Sequence, residues 1–194
     1  MSPLPQVNKY GMVQVMKWYV IQVRSRKETE FRRLAHLQIG PGNGDNLYIP
    51  LRKMYIRRQG KEHIEECPIY PGYVFLSTPE LSPEQQNDYR RVNGVIRWLG
   101  VDGKVMALGP GDLEILQHFL RNGEVVGISQ VTYDANMRIQ VLAGPLMGLE
   151  GRIIRVDKRK RRAHVRLDLY HSSFEVDFSF ELIQAREKDS TGNE

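Results

Sequence analysis

Apolar residues run almost without a break over 16–23 (MKWYVIQV), and β-branched and aromatic types dominate that run. It predicts a strand covered on both faces, at the centre of a sheet. Downstream the period changes: Phe31, Leu34, Ala35 and Leu37 recur at helical spacing, and Ser25 stands three residues before Glu28. An amphipathic helix opened by a capping box is expected. GPGNGDN (40–46) ends it, because glycine and asparagine accept positive φ and proline lacks an amide donor. β-type residues over 47–58 and 61–77 flank Gln59-Gly60, the pattern of two antiparallel strands joined by a tight turn. Pro68 and Pro71 interrupt the second arm, so it should divide into an exposed part and a sheet part at 72–76.

Ser82-Pro83-Glu84 then opens a short helix, with serine as cap and proline in the first turn, that ends near Asn93-Gly94. A strand at 95–99, a turn at Asp102-Gly103 and a helix over 110–120 follow. The order β, α, β, β, α, β, α lacks regular βαβ alternation and predicts an α+β fold, an antiparallel sheet flanked by helices. Residues 122–134 show no clear period and read as a linker. Beyond them MRIQVLAG, EGRIIRVDK, RAHVRLDLY and FEVDFSFELI are short strands separated by turns, the signature of a small all-β barrel over 135–185. The polar ends, 1–15 and 186–194, read as disordered tails around an N-terminal domain at 16–121 and this barrel.

The 194 residues suffice for two small cores, and 41% hydrophobic with 26% charged residues excludes wholesale disorder. A net charge of +5 suits an anionic partner as well as it suits a merely solvated basic face. A single cysteine, Cys67, rules out an intrachain disulfide and a cysteine-rich zinc cluster, and fits a reducing cytoplasm. The start lacks a signal-peptide pattern, and no apolar run approaches the roughly 20 residues of a bilayer span. His36, His63, His118, His164 and His171 are scattered without ligand spacing, so no metal is expected. GPGNGDN lacks the lysine and hydroxyl residue of a phosphate loop, and Cys67 belongs to no nucleophile motif. With no clustered carboxylates either, neither an enzyme nor a cofactor is indicated.

KWYVIQVRSRKE (17–28), IYPGYVFL (69–76), RRVNGVIRWLG (90–100) and IQVLAGPLMGLEGRIIRVDKRKRRAHVRLDL (139–169) resemble, in order and spacing, the NusG family of transcription elongation and antitermination factors. The first part is similar to the N-terminal NusG domain. The second is similar to a KOW domain, with glycines at Gly144, Gly148 and Gly151. The resemblance implies a monomeric, non-catalytic adaptor that binds the clamp helices of the largest subunit of bacterial RNA polymerase. Its KOW domain would then contact nascent RNA or DNA, a ribosomal protein or a termination factor. The polar start, the GPGNGDN loop and the run at 158–162 depart from the general pattern and imply a specialised paralogue of LoaP or RfaH type. Tyr170-His171-Ser172-Ser173 replaces the glycine-arginine-alanine turn of housekeeping members, which leaves the ribosomal and termination partners open. A stand-alone KOW-type RNA-binding protein associated with the ribosome is the other reading. It accounts for the charge and the C-terminal half, but not for the aromatic IYPGYVFL segment.

The resemblance carries the polymerase-docking role onto Gln22, Tyr70, Pro71, Tyr73, Phe75 and Trp98, for each of which core packing is the alternative. Strand alternation separates Tyr73 and Phe75 from Val74 and Leu76. Tyr89, Arg90 and Arg91 match a place where family members approach the polymerase gate loop or non-template DNA; a solvated helix end is the alternative. Arg24, Arg26 and Lys27 follow the first strand and could line upstream DNA, but exposed charges at an ordinary helix start are the usual arrangement and the favoured reading. Lys158, Arg159, Lys160, Arg161 and Arg162 should form a hairpin tip projecting five cations toward structured RNA, extended by Arg152, Arg155 and Arg166 if their faces agree. In RfaH-type members the KOW region can turn helical. The β-branched content here (Ile153, Ile154, Val156, Val165, Val176) predicts that it stays β.

Overall fold

The computed structural model describes residues 6–7, 13–40, 46–170 and 172–183. The expected tail at 186–194, most of that at 1–15, most of the GPGNGDN loop and His171 lie outside the described residues. The first elements are β1 (Gln6–Val7), β2 (Val13–Gln14), β3 (Lys17–Val23), α1 (Glu28–Ile39), β4 (Leu47–Tyr48), β5 (Leu51–Arg58), β6 (Lys61–Pro68) and β7 (Tyr73–Thr78). α2 (Pro83–Arg91), β8 (Val95–Trp98), β9 (Gly100–Val101), β10 (Lys104–Val105) and α3 (Pro110–Leu120) follow. The chain continues through β11 (Val125–Val126), β12 (Ser129–Tyr133), β13 (Ile139–Ala143), β14 (Ile153–Asp157), β15 (Arg162–Leu169) and β16 (Ser172–Leu182). The fold is α+β, as the mixed pattern of elements predicts.

β3 lies inside a four-stranded sheet of order β4-β7-β3-β8. Its two faces enter two different cores. Tyr19, Ile21 and Val23, with Val74 and Leu76 of β7, pack under Phe31 and Ala35 of α1 and Tyr89 of α2. Trp18, Val20 and Phe75 point the other way and meet Leu116 and Phe119 of α3. Strand alternation thus decides which core each side chain joins.

α1 starts later than the serine motif predicts. Its cap is Lys27, which makes no side-chain cap hydrogen bond. Glu28 has turned inward instead: its Oε1 accepts from the amides of Gly72 and Arg26. A carboxylate at the helix start that ties down the β6–β7 connection leaves Ser25 without the capping role. At α2 the capping box forms as the sequence predicts, Ser82 accepting from Gln85 N while Gln85 accepts from Ser82 N. The β5–β6 hairpin turns at Gln59 and Gly60 with φ of 49° and 80°, the left-handed pair that a type I′ turn needs.

The stretch read as a linker is ordered. Val125–Val126 pairs in parallel with Leu51 and Arg52 of β5, and Ser129, Gln130 and Val131 pair in parallel with the end of β16. Glu124 fixes the first of these: its carboxylate takes Arg32 at 2.7 Å and the amide of Ile49 at 2.9 Å. These partners are distant in sequence, so a local period could not reveal them.

The C-terminal strands form a curled five-stranded sheet of order β13-β12-β16-β15-β14. They are β in the full chain, as the β-branched content predicts. Alternate residues of β15, Ala163, Val165, Leu167 and Leu169, are buried with Val176, Phe178 and Phe180 of β16. This apolar face is continuous with Trp18, Val20, Tyr70, Phe75, Leu116 and Phe119. The two halves of the chain therefore share one hydrophobic core.

Candidate docking site

IYPGYVFL spans the turn after β6 and the first four residues of β7. After β6 the chain turns through Ile69–Gly72, where Gly72 takes φ +85° and a Cβ would lie 3.0 Å from Ser25 Oγ. Tyr70, Tyr73 and Phe75 consequently face one side, with Tyr70 edge-on to Phe75 at a centroid distance of 5.3 Å. Gln22 lies directly across from Tyr73 on β3 and from Arg97 on β8, and its Oε1 accepts from Arg97 Nε at 2.8 Å. The result is an aromatic surface with a polar edge.

The C-terminal sheet covers this surface. Phe174 of β16 stands edge-on to Tyr70 at 6.4 Å and to Tyr73 at 5.6 Å. Tyr70 is only 2% exposed and Phe75 0%, whereas Tyr73 is half-buried and Pro71 exposed. Burial drives the Tyr70 phenol well above the ordinary tyrosine range. At the rim, a cleft of about 560 Å³ opens between Tyr73, Arg97 and Lys104 on one side and Tyr170 and Phe174 on the other. Tyr73 is thus the aromatic residue of the set already reachable from outside.

A polar margin surrounds the apolar contact. Arg52, buried on β5, donates to the carbonyl oxygens of Asp177 and Pro68 and lies 5.6 Å from the Phe178 ring centre. The Tyr55 amide donates to Ser179 Oγ at 3.0 Å, and its hydroxyl donates to Glu181. On the far side Tyr170 N donates to Asp112 Oδ2 at 2.9 Å, and Tyr170 Oη donates to the Met106 carbonyl. His118 Nε2 donates to the Pro145 carbonyl at 2.8 Å. Burial lowers the Arg52 pKa. Its two carbonyl acceptors, and the nearby Asp177, offset part of that cost.

Two expected site residues sit elsewhere. Trp98 belongs to the core under α1 and α2, where its Nε1 donates to Gln86 O at 3.2 Å and its ring meets Tyr89 edge-on at 5.7 Å. Tyr89 is 1% exposed and cannot offer its ring to a base. Arg90 and Arg91 at the end of α2 are exposed, the latter 3.8 Å from Asp88. Arg24, Arg26 and Lys27 are exposed as well.

The basic tip projects less charge than five consecutive cations suggest. Lys158, Arg159 and Lys160 are exposed between β14 and β15, Lys158 with its ammonium 4.1 Å from the Tyr133 ring centre. Arg161 turns back to the β5–β6 hairpin, where it forks onto the Glu62 carboxylate and lies 4.1 Å from the Tyr55 ring centre. Arg162 pairs with Asp177 at 3.2 Å, and Arg152 with Asp168 at 2.9 Å. Ser173 and Arg152 hold the Asp168 carboxyl below its ordinary range. Arg155 lies 3.1 Å from His164, and Arg166 opposes Glu175 in the strand register. Carboxylates interleave the proposed extension, and the exposed charge concentrates at 158–160, where Lys160 lies 3.9 Å from Asp157. Phe174, Arg52 and Glu62 escaped the sequence reading. Phe174 could have been found, since it continues the alternation Val176, Phe178, Phe180.

Comparison with known proteins meets this geometry. The family model described as "Transcription termination factor nusG" matches residues 16–117, more than half of the chain. The chain belongs to the NusG family. Relatives named "Transcription termination/antitermination protein NusG" extend the similarity to both halves. That of Borreliella burgdorferi is 26% identical over 86% of this chain and 97% of its own length. That of Neisseria meningitidis is 23% identical over 87% and 97%. A solved structure described as "Domain interaction in Thermotoga maritima NusG" superposes with a TM-score of 0.52 at 17% identity. It covers 84% of this chain and 93% of that one, a likeness of fold. Among the described residues no helix is long and apolar enough to cross a membrane, and no group of histidine, cysteine and carboxylate side chains could hold a metal ion.

Proposed function

We propose that this chain is a non-catalytic transcription elongation and antitermination factor of the cytoplasm. It docks on the clamp helices of the largest subunit of bacterial RNA polymerase through the face around Gln22, Tyr70, Tyr73 and Phe75. One observation carries the reading: within the segment matched to the NusG family, an aromatic sheet face is covered by an element of the same chain more than 90 residues away in sequence. A covering supplied by a separate sheet can be exchanged for a partner without unfolding β3 or β7. In this reading 16–121 is the polymerase-binding domain and 135–185 a KOW domain. The exposed cations Lys158, Arg159 and Lys160 give the latter a contact for the phosphates of structured RNA. Family membership, and relatives named for termination and antitermination, support it.

Single-round transcription with purified core polymerase tests it. The full chain should change pausing or readthrough, and Tyr73→Ala should abolish both that effect and pull-down of polymerase while leaving the fold intact. No effect on transcription, together with co-sedimentation with ribosomes, would overturn the reading in favour of a ribosome-associated RNA-binding protein.

A further inference from the structure

We propose that Glu62 acts as an internal stand-in for a nucleic-acid phosphate, so that RNA binding at the basic tip releases the C-terminal sheet from the docking face. The inference rests on the reading of 158–162 as an RNA contact and adds how that contact is regulated. Arg161 is the tip residue that forms an ion pair with the N-terminal half among the described residues: its guanidinium forks onto both carboxylate oxygens of Glu62 and lies over Tyr55. Glu62 holds it in charged form. A guanidinium offers the same planar fork to a carboxylate or a phosphate, so the two compete for one set of donors. Lys158, Arg159 and Lys160 lie beside it, exposed, and attract the polyanion to the place where exchange must occur.

Releasing Arg161 loosens a connected margin. Tyr55 touches three members of it at once: Arg161 over its ring, Glu181 at its hydroxyl, and Arg162 reaching its carbonyl at 3.4 Å. Its amide holds Ser179. Phe180 N also donates to Arg161 O at 3.0 Å, so movement of the tip pulls on the buried row of β16 that ends beside Phe174. Thermodynamic linkage then makes the effect mutual: whatever factor RNA contributes to opening, occupation of the docking face contributes to RNA affinity.

The test uses the full chain, a short RNA hairpin, and a DNA hairpin of the same sequence as probes. Affinity is read by fluorescence anisotropy, and opening by hydrogen exchange at the Tyr55 and Tyr170 amides, which donate across the contact. Glu62→Gln should raise RNA affinity about 3- to 10-fold, the range expected when a competing partly exposed ion pair is removed. It should also speed both amides without RNA. The paired exchange Glu62→Arg with Arg161→Glu should restore slow amides yet bind RNA no better than Arg161→Gln. Saturating hairpin should accelerate both amides in the parent protein. If RNA binds the parent but Glu62→Gln changes neither affinity nor exchange, the linkage is refuted and the tip keeps its contact. If neither hairpin binds parent or Glu62→Gln, the tip reading fails and takes this inference with it. Equal response to the DNA hairpin would assign the site to phosphate backbones in general, with the linkage intact.

Discussion

Replacing Phe174 by alanine should open the molecule without unfolding either half. The phenyl ring makes two edge-to-face contacts, with Tyr70 at 6.4 Å and Tyr73 at 5.6 Å. Each such contact contributes about 0.5–1.5 kcal/mol beyond area burial. The ring is half-buried, so truncation also forfeits about 1 kcal/mol of apolar burial. Neither loss falls on β15–β16 pairing itself, where Phe174 faces Leu167 in the register. Taking about 2 kcal/mol as the destabilisation of the closed form, the open fraction should rise about 30-fold. While the closed form dominates, apparent affinity for anything that uses the Tyr70–Tyr73 face rises by the same factor. Hydrogen exchange provides the assay: the Tyr55 and Tyr170 amides should exchange about 30-fold faster, while the amides of the β15–β16 ladder keep their rates. Unchanged exchange at Tyr55 and Tyr170 would refute the idea that Phe174 holds the sheet in place. Equal acceleration throughout β15–β16 would show that its role lies within the sheet.

Gly144→Ala should destabilise the turn after β13: the position has φ +98°, and a Cβ there would sit 2.6 Å from the Ser129 Cα. A loss of more than about 1 kcal/mol in denaturant stability is expected, and an unchanged midpoint would show that Ser129 yields freely. Alkaline pH should weaken the fold through Tyr70, Tyr89 and Tyr170, whose phenols burial raises above the ordinary 10.0. Their contribution is complete below that value and is lost as pH climbs above it, because the unfolded chain releases protons the folded chain retains. Tyrosinate absorbance should therefore include a component that appears together with unfolding; smooth titration of every tyrosine near 10.0 would contradict it.

Local chemistry was legible in the sequence wherever one element decides its own form. The run around β3, the Gln59-Gly60 turn, the Ser82 capping box and the alternation of Tyr73 and Phe75 against Val74 and Leu76 all follow from neighbours a few residues apart. Long-range choices were hidden. Ser25 has the spacing of a cap, but Glu28 is drawn to Gly72 and the helix begins later. Residues 125–126 look like linker because their partners, Leu51 and Arg52, lie over 70 positions away. The same blindness affected the site. Aromatic type marks Trp98 and Tyr89 as readily as Tyr73, and only strand register and the placement of α2 reveal that the first two form a core. Five consecutive cations look uniform in sequence, and only the neighbouring hairpin shows that Arg161 is engaged.

Covering a docking face with part of the same chain sets two demands on one surface. It must be apolar enough to attract a partner, yet it must release its own sheet. The aromatic centre around Tyr70, Phe75, Phe119 and Phe178 serves cohesion in the closed form, and its hydrophobic stabilisation is non-directional. Selectivity between closing and docking therefore has to come from groups that the two arrangements use differently. The polar margin supplies them: Arg52, Tyr55, Glu62, Arg161 and Glu181 bond across the contact only when the C-terminal sheet is in place. The exposed pairs contribute little individually, about 0–1 kcal/mol each. Several together still move a two-state equilibrium by one or two orders of magnitude without touching the aromatic surface. A margin of weak, exchangeable bonds around a strong, indifferent centre lets the closed form be adjusted by charge while the docking face stays unchanged.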